Sequence, residues 1–119
     1  MAATYTSLLS TTTTSDTPTV TVENIPSTYT SLVVVVRTYS TWTSDNGTRM
    51  NMRFNGISTD SYSTTAVEAN GSTIYNERQS GAGVSYIWVG RNNNNNGGNT
   101  QKSTTIINIE NYSNTTGYK

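Results

Sequence analysis

The chain contains neither histidine nor cysteine, and only 12% of its 119 residues are charged. Without these side chains there is no Ser-His-Asp or Cys-His catalytic pair, no thiolate metal site and no disulfide framework. The formal net charge is zero, whereas nucleic-acid binding depends on clustered Lys and Arg. No apolar run approaches the ~20 residues of a membrane span. These absences exclude most hydrolytic machinery and predict neither a nucleic-acid partner nor membrane insertion.

The seven carboxylates form no recognisable catalytic or metal-binding set. Glycoside hydrolysis needs two carboxyl groups across a cleft, whereas these acids are expected singly, in or beside turns: Asp16, Glu23, Asp45, Asp60, Glu68, Glu77 and Glu110. Residues 44–48 and 58–61 offer one carboxylate each, and Ca²⁺ normally takes several. We therefore expect no catalytic residue, no cofactor and no metal, and we expect the chain not to be an enzyme.

Small polar and β-forming residues dominate what is present. There are 24 Thr, 15 Ser and 15 Asn, together with eight Tyr and two Trp. Disordered chains usually carry high charge and few aromatic or β-branched residues, whereas Thr, Val, Ile, Tyr and Trp suit a pleated, half-buried surface. The composition predicts a folded, all-β protein.

Hydrophobic segments recur along the chain with polar turns between them. The predicted strands are 4–9 (weak), 19–25, 31–40, 49–55, 72–76, 84–91 and 103–112. The apolar run of 31–40 is typical of a central strand buried on both faces, and the turn at 43–48 favours a hairpin with 49–55. Residues 64–71 form at most one helical turn, and 92–99 form a loop. This spacing predicts one domain, 1–119, with an antiparallel β-sandwich or jelly-roll-like fold.

The last predicted strand is followed almost at once by the end of the sequence, "NYSNTTGYK". A sandwich that stops there exposes an edge, which proteins usually cover or pair. Two explanations stay open: further C-terminal strands are missing, or a neighbouring subunit completes the fold.

The phrase "RMNMRFNGISTDSYS", residues 49–63, combines strand alternation with a turn. Met50, Met52 and Phe54 are predicted to face inward. Asn55-Gly56 would be the turn, with glycine supplying a positive φ. Arg53 faces the other way and is interpreted as a partner-facing or hydrogen-bonding residue.

Aromatic side chains are the remaining candidates for contact. Trp42 is expected at the tip of the 31–55 hairpin, where it either stacks on a sugar or a partner protein or caps the open end of the sandwich. Tyr39 lies nearby in sequence and is a candidate for the same contact. Trp88, next to Ile87 and Val89, is expected in the core or a subunit interface.

Several phrases together resemble a group of tailed-bacteriophage virion proteins. They are "VENIPSTYTSLVVVVRTYS" (22–40), "MRFNGISTDSYS" (52–63), "IWVGR" (87–91) and "INIENYSN" (107–114). The shared pattern is NIPxTYxxL, a hydrophobic strand, a polar turn, RFNG leading to YS, and a late NYS. The resemblance covers about 5–119. Over this range the chain is similar to tail-fibre, spike and other structural proteins of tailed phages.

This resemblance implies a non-enzymatic virion component and no catalytic residues. The expected role is head decoration or cement, or a tail-fibre or spike appendage, which contributes to assembly, stability or host attachment. The expected partners are other virion proteins, further copies of the chain, with a homotrimer favoured, and host surface polysaccharide. The chain would be made in the host cytoplasm and reside in the virion, since it begins with no signal-peptide pattern. The alternative function is a carbohydrate-binding module built on Trp42, Tyr39 and the 92–96 asparagines.

Overall fold

A computed structural model of the chain describes residues 5–40, 48–69, 71–92 and 102–114. Within these residues the regular secondary structure is entirely β, as the composition predicts. The six strands are β1 (Leu32–Thr38), β2 (Thr48–Met52), β3 (Thr64–Ala69), β4 (Ile74–Gln79), β5 (Ile87–Asn92) and β6 (Ser103–Ile109).

The strands form three two-stranded antiparallel sheets, which pair β1 with β6, β2 with β5 and β3 with β4. The predicted hairpin between 31–40 and 49–55 is therefore wrong, because β2 lies beside β5 instead of β1. Sequence adjacency favours the hairpin, but β2 finds in β5 the side chains that complement its own, as described below. The described residues form no closed sandwich.

The strand β1 is also less buried than its valine-rich sequence suggests. Its exposure alternates along the strand, with Val33 and Val35 on the open side and Val34 and Val36 half-buried. The prediction of a strand buried on both faces is wrong, because only one face of the β1–β6 sheet is covered. Val and Thr still favour the strand itself, since β-branched side chains are restricted in χ1 and fit a pleated surface.

Two other segments differ from the sequence-based expectation. Residues 64–71, expected to form at most a helical turn, contain β3, whose Thr64, Ala66 and Glu68 alternate with more exposed neighbours. Conversely, the predicted strand at 19–25 has no strand partner, and neither do residues 5–9. The predicted loop 92–99 begins with Asn92, the last residue of β5, and otherwise lies outside the described residues.

A β-bulge interrupts the pairing of β2 with β5. Met50 lies opposite Gly90, while the next residue, Asn51, lies opposite Trp88, so that Val89 is the extra residue. A Cβ placed on Gly90 would lie only 2.8 Å from Oγ1 of Thr105 in β6. The glycine therefore allows β5 to approach β6 closely, as glycines at bulges often do.

The chain divides into two compact units, each with a small core. In the described part of the chain the first unit comprises 5–32 and 109–114, and its buried apolar residue is Ile109. The second comprises 33–40, 48–69, 71–92 and 102–108, and its buried apolar residue is Val84. The strands thus contribute little fully buried apolar surface.

Candidate functional site

The Asn55-Gly56 pair forms a tight turn at the end of the β2 segment. Asn55 and Gly56 have φ values of 52° and 66°, and the amide of Ile57 donates to the carbonyl of Phe54 at 2.9 Å. Two positive φ values are the requirement of a type I′ turn, which Asn-Gly satisfies best. The predicted turn is confirmed, and Met50, Met52 and Phe54 are the less exposed residues of the alternation, as expected.

The hydroxyl of Tyr62 closes this turn from the side. It accepts a hydrogen bond from the amide of Phe54 at 2.9 Å and lies 3.2 Å from the carbonyl of Phe54 and 3.1 Å from that of Ile57, to either of which it donates. One side chain thus satisfies backbone groups that would otherwise need water. The tyrosine of the phrase "RFNG…YS" is therefore a structural part of the turn.

Two further side chains attach the 81–85 segment to this turn. Nε of Arg53 donates to the backbone carbonyl of Ser85 at 2.8 Å, and the amide of Gly83 donates to the carboxylate of Asp60. Between them lies Val84, the buried residue of this unit. We call residues 53–57, 60, 62 and 81–85 the turn cluster. In it the side chains of Arg53, Asp60 and Tyr62 bind backbone groups.

A second polar group is a four-residue ionic network. Arg49 of β2 bonds Glu77 of β4, and Nε of Arg91 in β5 lies 2.8 Å from Oε2 of Glu68 in β3. Nη2 of Arg91 also lies 3.8 Å from Oε1 of Glu77. All four side chains are between about a quarter and a third exposed, so their charges are only partly solvated. The expectation that Glu68 and Glu77 are single turn residues is wrong, because both lie within strands and pair with arginine.

Trp88 takes part in the same arrangement. Cζ of Arg49 lies 3.8 Å from the centroid of the Trp88 ring, a cation–π geometry that is strongest on tryptophan. Trp88 is half-buried, which agrees with an interior role. Stacking of Arg49 on a β5 side chain is one physical reason why β2 pairs with β5.

The phrases "NIPSTY" and "IENYSN" meet in the first unit. The amide of Tyr112 donates to the carbonyl of Thr30 at 2.8 Å, and its hydroxyl donates to the carbonyl of Ile25 at 2.8 Å. Oγ of Ser31 donates to Glu110 at 2.7 Å. Residues about 80 positions apart are thereby joined mainly through backbone carbonyls.

Asparagine, like glycine, adopts positive φ values in the described part of this chain. Among the described residues, the non-glycine positions with positive φ are Asn24, Asn55 and Asn111, at 56°, 52° and 51°. Asn tolerates the left-handed region better than other L-residues. Each of the three lies in one of the phrases that carry the phage resemblance.

Outward-facing apolar residues form the most accessible feature of the strands. On the β1–β6 sheet, Val35 and Ile106 are each 64% exposed, beside Val33. On the β3–β4 sheet, Val67 and Ile74 are 72% and 71% exposed. Soluble monomers seldom leave such residues grouped on one face, and grouped exposure marks interaction surfaces.

The three residues predicted for partner or glycan contact are in different structural situations. Trp42 lies outside the described residues. Tyr39 is 50% exposed just after β1 and is accessible to a partner. Arg53 is engaged with Ser85, which fits the hydrogen-bonding half of its prediction.

The described part of the chain contains neither a candidate metal-ligand cluster nor a candidate membrane-spanning helix. No cluster of three Asp or Glu side chains suited to a metal ion occurs there. Over the same ranges, the structure contains no helix long and apolar enough to span a membrane.

Comparison with known proteins does not extend these findings. The chain matches no protein-family model, and it has no significant match among curated proteins or solved structures.

Proposed function

We propose that this chain is a non-enzymatic structural protein of a bacteriophage virion. It would form a homo-oligomer on the particle surface, with a trimer favoured, and contact other capsid or tail proteins. Its role would be head decoration or cement, or part of a tail-fibre or spike appendage. The neighbouring subunit would complete a β-sandwich of the jelly-roll type.

The observation that carries the proposal is the imbalance between buried and exposed apolar residues. Among the described residues only Val84 and Ile109 are buried hydrophobics. Against these stand thirteen exposed large hydrophobics: Tyr5, Leu8, Leu9, Val20, Val22, Val33, Val35, Tyr39, Ile57, Val67, Ile74, Tyr75 and Ile106. Two-stranded sheets are marginal in water, and three or more strands with a covered hydrophobic face are needed for independent stability. Subunit contacts can supply that cover, because a closed symmetric oligomer buries edges and apolar faces.

The role of the polar residues agrees with a structural function. The side chains that are brought together, in the turn cluster and the ionic network, bind backbone or each other. The carboxylates of Glu77 and Glu68 bind arginine, and that of Asp60 binds a backbone amide. The assignment to a phage virion draws on the resemblance of the four phrases.

The test has two parts. Light scattering after size exclusion should give the mass of an oligomer for the full chain, and immunogold labelling should place the chain on purified phage particles. Labelling at the head supports decoration, and labelling at the tail supports an appendage. A monodisperse monomer that is also absent from purified particles would overturn the proposal.

A carbohydrate-binding module is the second candidate, and the exposed ring of Tyr39 favours it. Exposed aromatic rings with a polar edge are suited to stacking on sugars. Calorimetry against host surface polysaccharide should then show binding that is lost in Trp42→Ala and Tyr39→Ala. Tyr5→Ala, which removes a ring that is 75% exposed elsewhere, is the matched control and should bind normally.

A further inference from the structure

The segment before β1 has the pattern of a strand but no partner within the described chain. Val20 and Val22 alternate with threonines and are 57% and 46% exposed. No hydrogen bond joins the backbone of residues 5–25 to the backbone of another described residue. The carbonyls of Ser15 and Ile25 accept side-chain hydroxyl groups. The backbone groups of 19–23 are suited to pairing with a sheet edge.

The β1 strand offers an edge with matching properties. In the described residues β1 pairs with β6 alone, so its other edge is open. Its outward face carries Val33 and Val35, and its partner strand β6 carries the exposed Ile106. Side chains alternate with a period of two residues both in the segment 19–23 and in β1. Val20 and Val22 can therefore meet Val33 and Val35 on one face.

One antiparallel register satisfies both apolar and ionic groups. If Val20 lies opposite Val35, then Val22 lies opposite Val33. If the segment stays extended toward its N-terminal end, the same register places Asp16 diagonally across from Arg37 on the outward face. Diagonal neighbours lie roughly 7–8 Å apart between strands, within reach of a long side chain such as arginine.

We propose that Thr19–Glu23 of one copy adds to the open edge of β1 in a second copy, as a third strand of the β1–β6 sheet. This inference rests on the homo-oligomer of the proposed function and specifies its contact. A second copy is the occupant that fits, because every chain carries both the donor segment and the acceptor edge. Donation from each chain to the next around a closed ring leaves no donor segment and no β1 edge unused. Strand addition gives affinity through main-chain hydrogen bonds and register through alternate side chains.

Because the chain contains no cysteine, any disulfide formed must join the introduced cysteines. Val22→Cys and Val33→Cys chains, distinguished by a tag, are co-expressed and oxidised. Directly opposed cross-strand residues have Cβ atoms within roughly 4.5–5.5 Å, close to what a disulfide spans. A disulfide between a tagged and an untagged chain is expected, and Val20→Cys with Val35→Cys should give the same result. The matched control is Thr21→Cys with Val33→Cys, whose side chains fall on opposite faces and should not cross-link.

The outcomes separate this inference from the proposed function. An oligomer that forms neither cross-link overturns the strand addition and leaves the oligomeric virion protein standing. A monomer overturns the strand addition, and a monomer that is also absent from purified particles overturns the proposed function as well. A chain carrying both Val22→Cys and Val33→Cys that closes a disulfide within itself overturns the exchange between copies. If Asp16→Lys and Arg37→Glu each weaken the oligomer and together restore it, the register is supported; loss without restoration contradicts the Asp16–Arg37 contact.

Discussion

Arg49 and Arg91 lie directly opposite each other on β2 and β5, so that two like charges share one cross-strand position. Like charges in this arrangement are destabilising unless they are compensated. Glu77 and Glu68 supply the compensation from the β3–β4 sheet. The four charges sum to zero, and the network links the β2–β5 sheet to the β3–β4 sheet.

Removing one carboxylate should therefore cost more than the loss of a surface ion pair. We expect Glu77→Gln to lower the free energy of unfolding by about 1–2 kcal/mol, because it leaves the two arginines opposed. This cost lies between that of losing an exposed ion pair and that of breaking a fully buried one. Urea denaturation at one fixed protomer concentration measures it. Arg78→Gln changes an exposed charged residue of the same strand and should have little effect. Equal stability of the two variants would contradict a stabilising role of the network.

The hydroxyl of Tyr62 should account for much of the stability of the turn cluster. Tyr62→Phe keeps the ring but leaves the amide of Phe54 without its partner, at an expected cost of about 1–2 kcal/mol. Tyr39→Phe removes the hydroxyl from a half-exposed ring and serves as the control. Thermal unfolding of both variants checks the prediction, and an unchanged melting temperature for Tyr62→Phe would refute it.

Gly56 tests whether the turn is scaffold or binding site. A Cβ at this position meets no atom within 4 Å, so the penalty of Gly56→Val arises from its φ of +66° and should be at least about 1–2 kcal/mol. Gly56→Asn should cost much less, because Asn tolerates this region. Folding and assembly should suffer before any host binding does. Intact assembly with lost adsorption would make the phrase a binding site instead.

Gly90 tests the close approach of β5 to β6. We expect Gly90→Ala to lower stability by about 1–3 kcal/mol, as over-packing does, because the new methyl group meets Thr105. Adding Thr105→Ala to this variant should recover part of the loss. Double-mutant analysis of urea denaturation measures that coupling, and strictly additive effects would argue against the contact.

Part of the candidate site could be read from residues 49–63. Period-two alternation places Met50, Met52 and Phe54 together whatever the partner strand, and Asn-Gly has few competitors for a turn with two positive φ values. The role of Tyr62 could not be predicted, because no local sequence pattern indicates which groups a tyrosine hydroxyl will bind. Its partners are backbone groups of the turn, whose positions are fixed only when the turn forms. Arg53 could be assigned to a face, but not to Ser85, which lies 32 residues away.

The ionic network illustrates what only the tertiary structure decided. Arg49, Glu68, Glu77 and Arg91 are spread over four strands, and their pairing follows from β2 lying beside β5 rather than β1. The sequence by itself determined the all-β class, most of the strands and the Asn-Gly turn, since these depend on side-chain branching, alternation and local φ preferences. Strand partnership and charge pairing were left to the fold, because non-local pairing depends on how distant side chains complement each other, which no local pattern encodes.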